Sequence, residues 1–251
     1  VSLALIITWM YVFARFSGLF LTLPVLSMVG IPTQVRVVAG ALLAALVAPM
    51  VMLAPPPESL GLLALAMGTE AMLGLTAGAL VATMFSALNV AFEIVSLQIG
   101  FAMASMFDPL NKTTGNVLGT LATWLGGLVF VTADLHLAAF EVAAQSFAVI
   151  PAGGAHWPWH DGAILADAVG RSIALGVQIA GPAVILSLLI NGFVAILARI
   201  AQRMNVFFAL GTALTASLGI MLLFHALPWM LSAHLTAMEG VMHAFARLLG
   251  M

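Results

Sequence analysis

Six apolar stretches, most of a length that suits a helix crossing a bilayer, constrain this chain more than any other feature: about Leu3 to Val29, Val37 to Leu53, Leu60 to Val81, Val117 to Val131, Ile173 to Leu197 and Val206 to Leu227. Roughly 20 helical residues cross about 30 Å of hydrocarbon. Within hydrocarbon every backbone N–H and C=O must find a partner in the chain, so helices are the conformation open to such segments. The segments are separated by turn chemistry at Gly30-Ile31-Pro32, Pro55-Pro56-Pro57, Asp108-Pro109, Pro151-Ala152-Gly153-Gly154 and Gln202-Arg203-Met204-Asn205. Leu60 to Phe107 and Val117 to Ile150 are longer than one span needs, and they are expected to continue as amphipathic helices or to fold back as hairpins. The fold class is therefore an all-α membrane protein with about six hydropathy spans plus amphipathic helices.

Composition agrees. Hydrophobic residues make up 63% of the chain, charged residues 6%, and mean hydropathy is +1.20, against roughly 25% charged residues in soluble domains. Net charge is −2 with seven Lys plus Arg, scattered along the chain, which leaves no basic stripe for nucleic acid. The chain has no cysteine, hence no disulfide or thiolate chemistry. The first apolar run is too long for a signal peptide and reads as a retained span. Arg36, Lys112, Arg199 with Arg203, and Arg247 lie near alternate turns, which places those turns on the cytoplasmic side. The turns around Glu58 and from Pro151 to Asp161 carry no basic residue, and Trp157 with Trp159 suits an interfacial belt on the opposite side. A metal site at His156, His160 and Asp161 is the weaker reading of that loop, because the two histidines flank a proline and do not share a helix face.

Inside this apolar background, Ser86, Asn89, Glu93, Ser96 and Gly100 recur at steps of three and four, forming one polar or small stripe on a helix that also carries Gln98. Phe85, Leu88, Phe92, Val95 and Ile99 take the other faces. The stripe runs into Phe101, Met103, Met106 and Phe107, followed by the helix-breaking Asp108-Pro109 and a polar loop to Asn116. Irregular backbone of this kind cannot face lipid and must sit in protein, line a cavity or lie in water. The combination of a polar-striped helix and a soft Phe/Met cluster suits a conduit that can be closed.

Arg15, Glu70, Glu93, Asp134, Glu141, Asp167 and Arg171 fall in or near apolar stretches. At roughly 3 kcal/mol each, leaving all of them in lipid would cost on the order of 20 kcal/mol, so they are expected to face protein or water. Local pairing, such as Asp167 with Arg171 at i, i+4 or Glu239 with His243, is the simple explanation for most. Gly74-x-x-x-Gly78 and Gly115-x-x-x-Gly119 mark places where helix backbones can approach closely. No phosphate-binding glycine loop, HExxH, G-x-S-x-G elbow or Cys/His cluster occurs, so an enzyme is not expected and no cofactor is called for. Asn111-Lys112-Thr113 matches the glycosylation sequon with nothing else to support it.

Four stretches together resemble one family over nearly the whole chain: RFSGLFLTLPVLSMVGIPTQVRV from Arg15, EIVSLQIGFAMASMFDP from Glu93, VTADLHLAAFEVAAQSFAVIPAGG from Val131 and QRMNVFFALG from Gln202. They are similar to the flagellar biosynthetic proteins FliR, a family homologous to the T component of injectisome export apparatus. The resemblance implies a subunit of a type III protein export gate in the bacterial inner membrane, at the flagellar basal body. Its implied partners are FliP, FliQ and FlhB, with unfolded flagellar polypeptides as substrate. It further implies long helical hairpins in a helical multi-subunit assembly, with residues 1–165 similar to FliP and residues 166–251 built like the two-helix FliQ. By motif matching, residues 100–115 correspond to the loop that plugs the pore, so Gly100, Phe101, Met103, Met106, Phe107, Asp108 and Pro109 form the candidate gate. Asp108-Pro109 is expected to end the helix and aim the loop. Ser86, Asn89, Glu93, Ser96 and Gln98 would wet a pore-facing or subunit-facing side, and Gly74, Gly78, Arg199, Arg203 and Asn205 are expected at subunit contacts. A secondary transporter using Glu93, Asp134 and Arg171, or a structural subunit that only closes a ring, are the alternatives.

Overall fold

The computed structural model describes residues 2–28, 31–52, 54–101, 117–154, 162–200 and 211–249. Among the described residues all regular structure is helical and no strand occurs. Several helix ends have a local cause. The first helix, α1 (Leu3–Thr22), starts where the Ser2 hydroxyl accepts the Leu5 N–H and stops at Leu23, held extended by the following Pro24. After the short α2 (Pro24–Met28), α3 (Thr33–Val47) begins behind Pro32 and tightens into a three-ten turn, Ala48–Met50. Ser59, two residues after the last of the three prolines, receives the Leu62 N–H on its hydroxyl and opens α4 (Leu60–Gln98).

Helix α4 has 39 residues, about 58 Å at 1.5 Å per residue, well beyond the hydrocarbon thickness. The excess length of this region is thus continuous helix and not a hairpin. It ends at Gly100, whose φ of +83° suits a residue without a side chain. Phe101, directly after it, is helical again, and the expected break at Asp108-Pro109 lies outside the described residues. The next region does break. Helix α5 (Val117–Thr132) and helix α6 (Leu135–Gln145) with its three-ten extension are bent by 61°, around Asp134 in the left-handed region at φ 55°. Helix α7 (Gly162–Ile200) and helix α8 (Thr212–Leu248) contain Pro182 and Pro228 in their interiors. Five of these helices are long and apolar enough to cross a membrane, or six if α5 with α6 is one broken span. The chain is an all-α, multi-pass membrane protein.

The chain divides into two compact units that are discontinuous in sequence, residues 1–85, 127–170 and 237–251 in the first and residues 86–126 and 171–236 in the second. The long helices contribute segments to both. In the first unit α1 packs on α3, with Trp9 stacked on Phe13 and its indole N–H donating to the Ala41 carbonyl. Phe20 stacks on Phe140 of α6. In the second unit Leu88, Phe92, Val95 and Ile99 of α4 share a core with Ala122 of α5, Ile179 of α7 and Met230 of α8. Ser86 lies beside Ser172 and Gln98 beside Ser187, so α4 and α7 run parallel there.

Candidate functional site

The polar stripe of α4 lies in the second unit, where helix–helix contacts engage much of it. Ser86 Oγ is 3.4 Å from Ser172 Oγ. The Thr123 hydroxyl of α5 lies 2.8 Å from Asn89 Oδ1, and the Ser187 hydroxyl of α7 lies 2.8 Å from Gln98 Oε1. Ser96 is buried, whereas Glu93 is exposed. The three- and four-residue spacing therefore produces a seam with both inward and outward members, because the stripe is wider than the strip of helix surface that any one neighbour covers.

Where the stripe ends, the turn is closely held. The Ile99 side chain is buried, and a Cβ on Gly219 of α8 would collide with it. Gly100 is exposed, with no atom near the place where its side chain would be. Phe101 is half-buried against the core of the unit. Met103, Met106, Phe107, Asp108 and Pro109 lie outside the described residues, as do Arg203, Asn205 and the His156, His160 and Asp161 loop. Arg199 is exposed in the last turn of α7, where a cation complements the carbonyl end of the helix.

Gly74 and Gly78 require a correction. A Cβ at Gly74 would collide with the Arg15 carbonyl, and one at Gly78 with the Thr22 side chain. Gly18 of α1 is equally tight against Ala71 and Leu75. This glycine face is filled by α1 of the same chain, so it serves an internal crossing and not the expected subunit contact. Small residues permit close backbone approach without specifying which helix approaches.

The same crossing buries the main electrostatic feature of the first unit. Arg15 Nε donates to Glu70 Oε2 at 2.6 Å, with the two side chains 1% and 0% exposed. The remaining contacts all go to the segment after α6. Arg15 Nη1 donates to Ser146 Oγ (2.7 Å), Nη2 donates to the Ile150 carbonyl (3.1 Å), and the guanidinium lies 3.8 Å from the centre of the Phe147 ring. The Ser146 hydroxyl in turn donates to the Ala143 carbonyl. The Gly153 N–H donates to the second Glu70 oxygen at 2.9 Å. Gly153 itself has φ +80°, and a Cβ there would lie 2.7 Å from Tyr11 Cε2.

Sequence reasoning placed Arg15 and Glu70 against protein or water but did not pair them, since 55 residues separate them. A usable signal was present: neither has an opposite charge at i±3 or i±4, so each needed a distant partner. Among the described residues no group of three or more His, Asp or Glu is placed to hold a metal. What this arrangement does chemically is hold two helices and a turn together; it exposes no reactive group.

Comparison with known proteins places this architecture. The family described as "Bacterial export proteins, family 1" matches residues 6–241. The flagellar biosynthetic protein FliR of Caulobacter vibrioides is 31% identical over 215 residues, covering 84% of this chain and 85% of the relative. The FliR proteins of Pectobacterium carotovorum and Escherichia coli K12 are 31% and 29% identical, each alignment spanning 82% of the relative and 86% or 85% of this chain. The match runs through α1 to α8, including both partners of the buried ion pair and the whole polar-striped helix, and on that extent the chain belongs to the bacterial export proteins, family 1, as a FliR-like member.

Proposed function

We propose that this chain is a membrane subunit of the flagellar protein export apparatus, and specifically that it helps form and seal the gate through which unfolded flagellar proteins pass. The observation that carries the reading is the family match across residues 6–241, joined to likeness with several FliR proteins over most of their length. The subunit works without catalysis, in the inner membrane at the basal body, assembled with FliP and FliQ and contacted by FlhB. Outward apolar side chains support an assembled, membrane-held state. Leu42 and Leu46 of α3 are 63% and 69% exposed, and Leu188 and Leu189 of α7 are 65% and 68% exposed. Such surfaces require lipid or neighbouring subunits. Residues 166–251 act as the FliQ-like hairpin of the reading and residues 1–165 as the FliP-like portion.

The sealing element is the Phe/Met cluster of Phe101, Met103, Met106 and Phe107. An exported polypeptide of arbitrary sequence must pass while ions do not, which favours a deformable apolar constriction over a rigid polar filter. Hydrophobic constrictions block ions by dewetting, and unbranched Met side chains repack around a moving chain. The held turn at Ile99 and Gly100 gives that cluster a fixed base on α4.

Deleting Gly100 to Gly115 tests the reading. A gate subunit so altered still co-purifies with co-expressed FliP and FliQ but makes the membrane leaky to ions. A tight membrane would leave only a structural subunit, and a stabilising small solute for the isolated chain would favour a transporter. Recovery of the intact chain only as a monomer from the co-expression would overturn the export-gate assignment.

A further inference from the structure

We propose that Arg15 and Glu70 are positioning residues for the turn from Ser146 to Gly153, and that the orientation of the pair, cation on α1 and anion on α4, is what the turn requires. The crossing of α1 and α4 is already determined by Gly18, Gly74 and Gly78, which leave no room for a side chain between the two helices. An ion pair adds little to such a contact. Burying two charges costs several kcal/mol, which their attraction repays only when further hydrogen bonds complete the site. Those further bonds all go to one place. Outside the helices, the Ile150 carbonyl needs a donor and the Gly153 N–H needs an acceptor, and in apolar surroundings a backbone group left without one is expensive. Arg15 Nη2 supplies the donor and Glu70 Oε1 the acceptor. Arg15 Nη1 also fixes Ser146, at the start of the turn.

This positioning has a consequence at the surface of the first unit. Phe147, Ala148 and Pro151 form one wall of an apolar groove of about 360 Å³, faced by Val47, Met50 and Met52. Phe147 lies under the Arg15 guanidinium, so the pair sets where that wall stands.

The natural absence of cysteine makes the test direct, since one introduced thiol reports one place. Ala152, in the turn, is 6% exposed, and Ala91, in the core of the second unit, is 0% exposed. Ala152→Cys and Ala91→Cys are made separately in the full chain, and maleimide labelling rates are measured in solubilised membranes. Replacing both charges in R15M/E70M leaves no lone buried charge. It is expected to speed labelling of the turn thiol, in the Ala152→Cys background, by roughly tenfold or more, because a buried thiol is labelled through local opening. The core thiol, in the Ala91→Cys background, should stay protected. The reversed pair R15E/E70R separates positioning from simple attraction. It restores opposite charges between the helices but presents an acceptor to the Ile150 carbonyl and a donor to the Gly153 N–H, so the turn thiol should stay fast. The proposal is overturned if the turn thiol remains protected in R15M/E70M, if the core thiol accelerates in step with it, or if the reversed pair restores protection.

Discussion

Adding one methyl group at Gly74 is expected to destabilise the first unit, while the same change at Gly68 of the same helix stabilises it. At Gly68 no atom lies within 4 Å of the new Cβ, so the substitution brings only the helix-propensity gain of about 1 kcal/mol. At Gly74 the Cβ collides with the Arg15 carbonyl, 2.9 Å from its carbon and 3.0 Å from the Leu19 nitrogen. These are backbone atoms of a continuous helix, so no single side chain can yield and α1 must move as a body. Overpacking of this kind costs about 1–3 kcal/mol. Movement of α1 also lengthens the Arg15–Glu70 contact of 2.6 Å, and a charged hydrogen bond contributes about 1.5–3 kcal/mol. Subtracting the propensity gain leaves a net loss of about 1.5–5 kcal/mol for Gly74→Ala. Reversible unfolding in mixed micelles, with Gly68→Ala measured in parallel, reads the difference. Equal stability of the two variants would refute the reasoning, because it would mean that α1 does not lie against that glycine.

Three further outcomes are expected in the same assay. Arg15→Met alone leaves Glu70 buried without its cation and should cost about 3–5 kcal/mol, whereas R15M/E70M should cost less than that single variant; an additive double variant would show that the two charges do not interact. Gly153→Ala meets both a left-handed φ and the Tyr11 ring, so it should lose about 2–4 kcal/mol, and removing the ring in a Tyr11→Ala background should recover only the steric part. Asp134 holds φ 55° at the break between α5 and α6; Asp134→Val should cost about 1–2 kcal/mol and Asp134→Gly should cost nothing.

Much of the helical layout was legible before any coordinates because its causes are local. The turns read at Ile31-Pro32, Pro55-Pro56-Pro57 and Pro151 to Gly154 all lie between helices, whereas Pro24 ends α1 and the positive φ of Gly100 ends α4 inside stretches read as continuous. Apolar length alone implied several spanning helices, since hydrocarbon offers the backbone no other partner. The four family-like stretches were legible for the same reason, being runs of neighbouring residues. Other features were misread or missed where neighbours in sequence do not determine neighbours in space. The Gly74-x-x-x-Gly78 face announces a close approach but not its occupant, and only the tertiary structure assigns it to α1.

Local chemistry in the sequence by itself determined a multi-pass helical protein, several of the turns between its helices, and the place of the polar stripe along α4. Folding decided which stripe members turn inward, and joined Arg15 to Glu70 and both to Ile150 and Gly153. The physical reason is that caps and breaks depend on contacts within one helical turn, whereas a buried charge finds its partner through the packing of segments that the chain order keeps far apart.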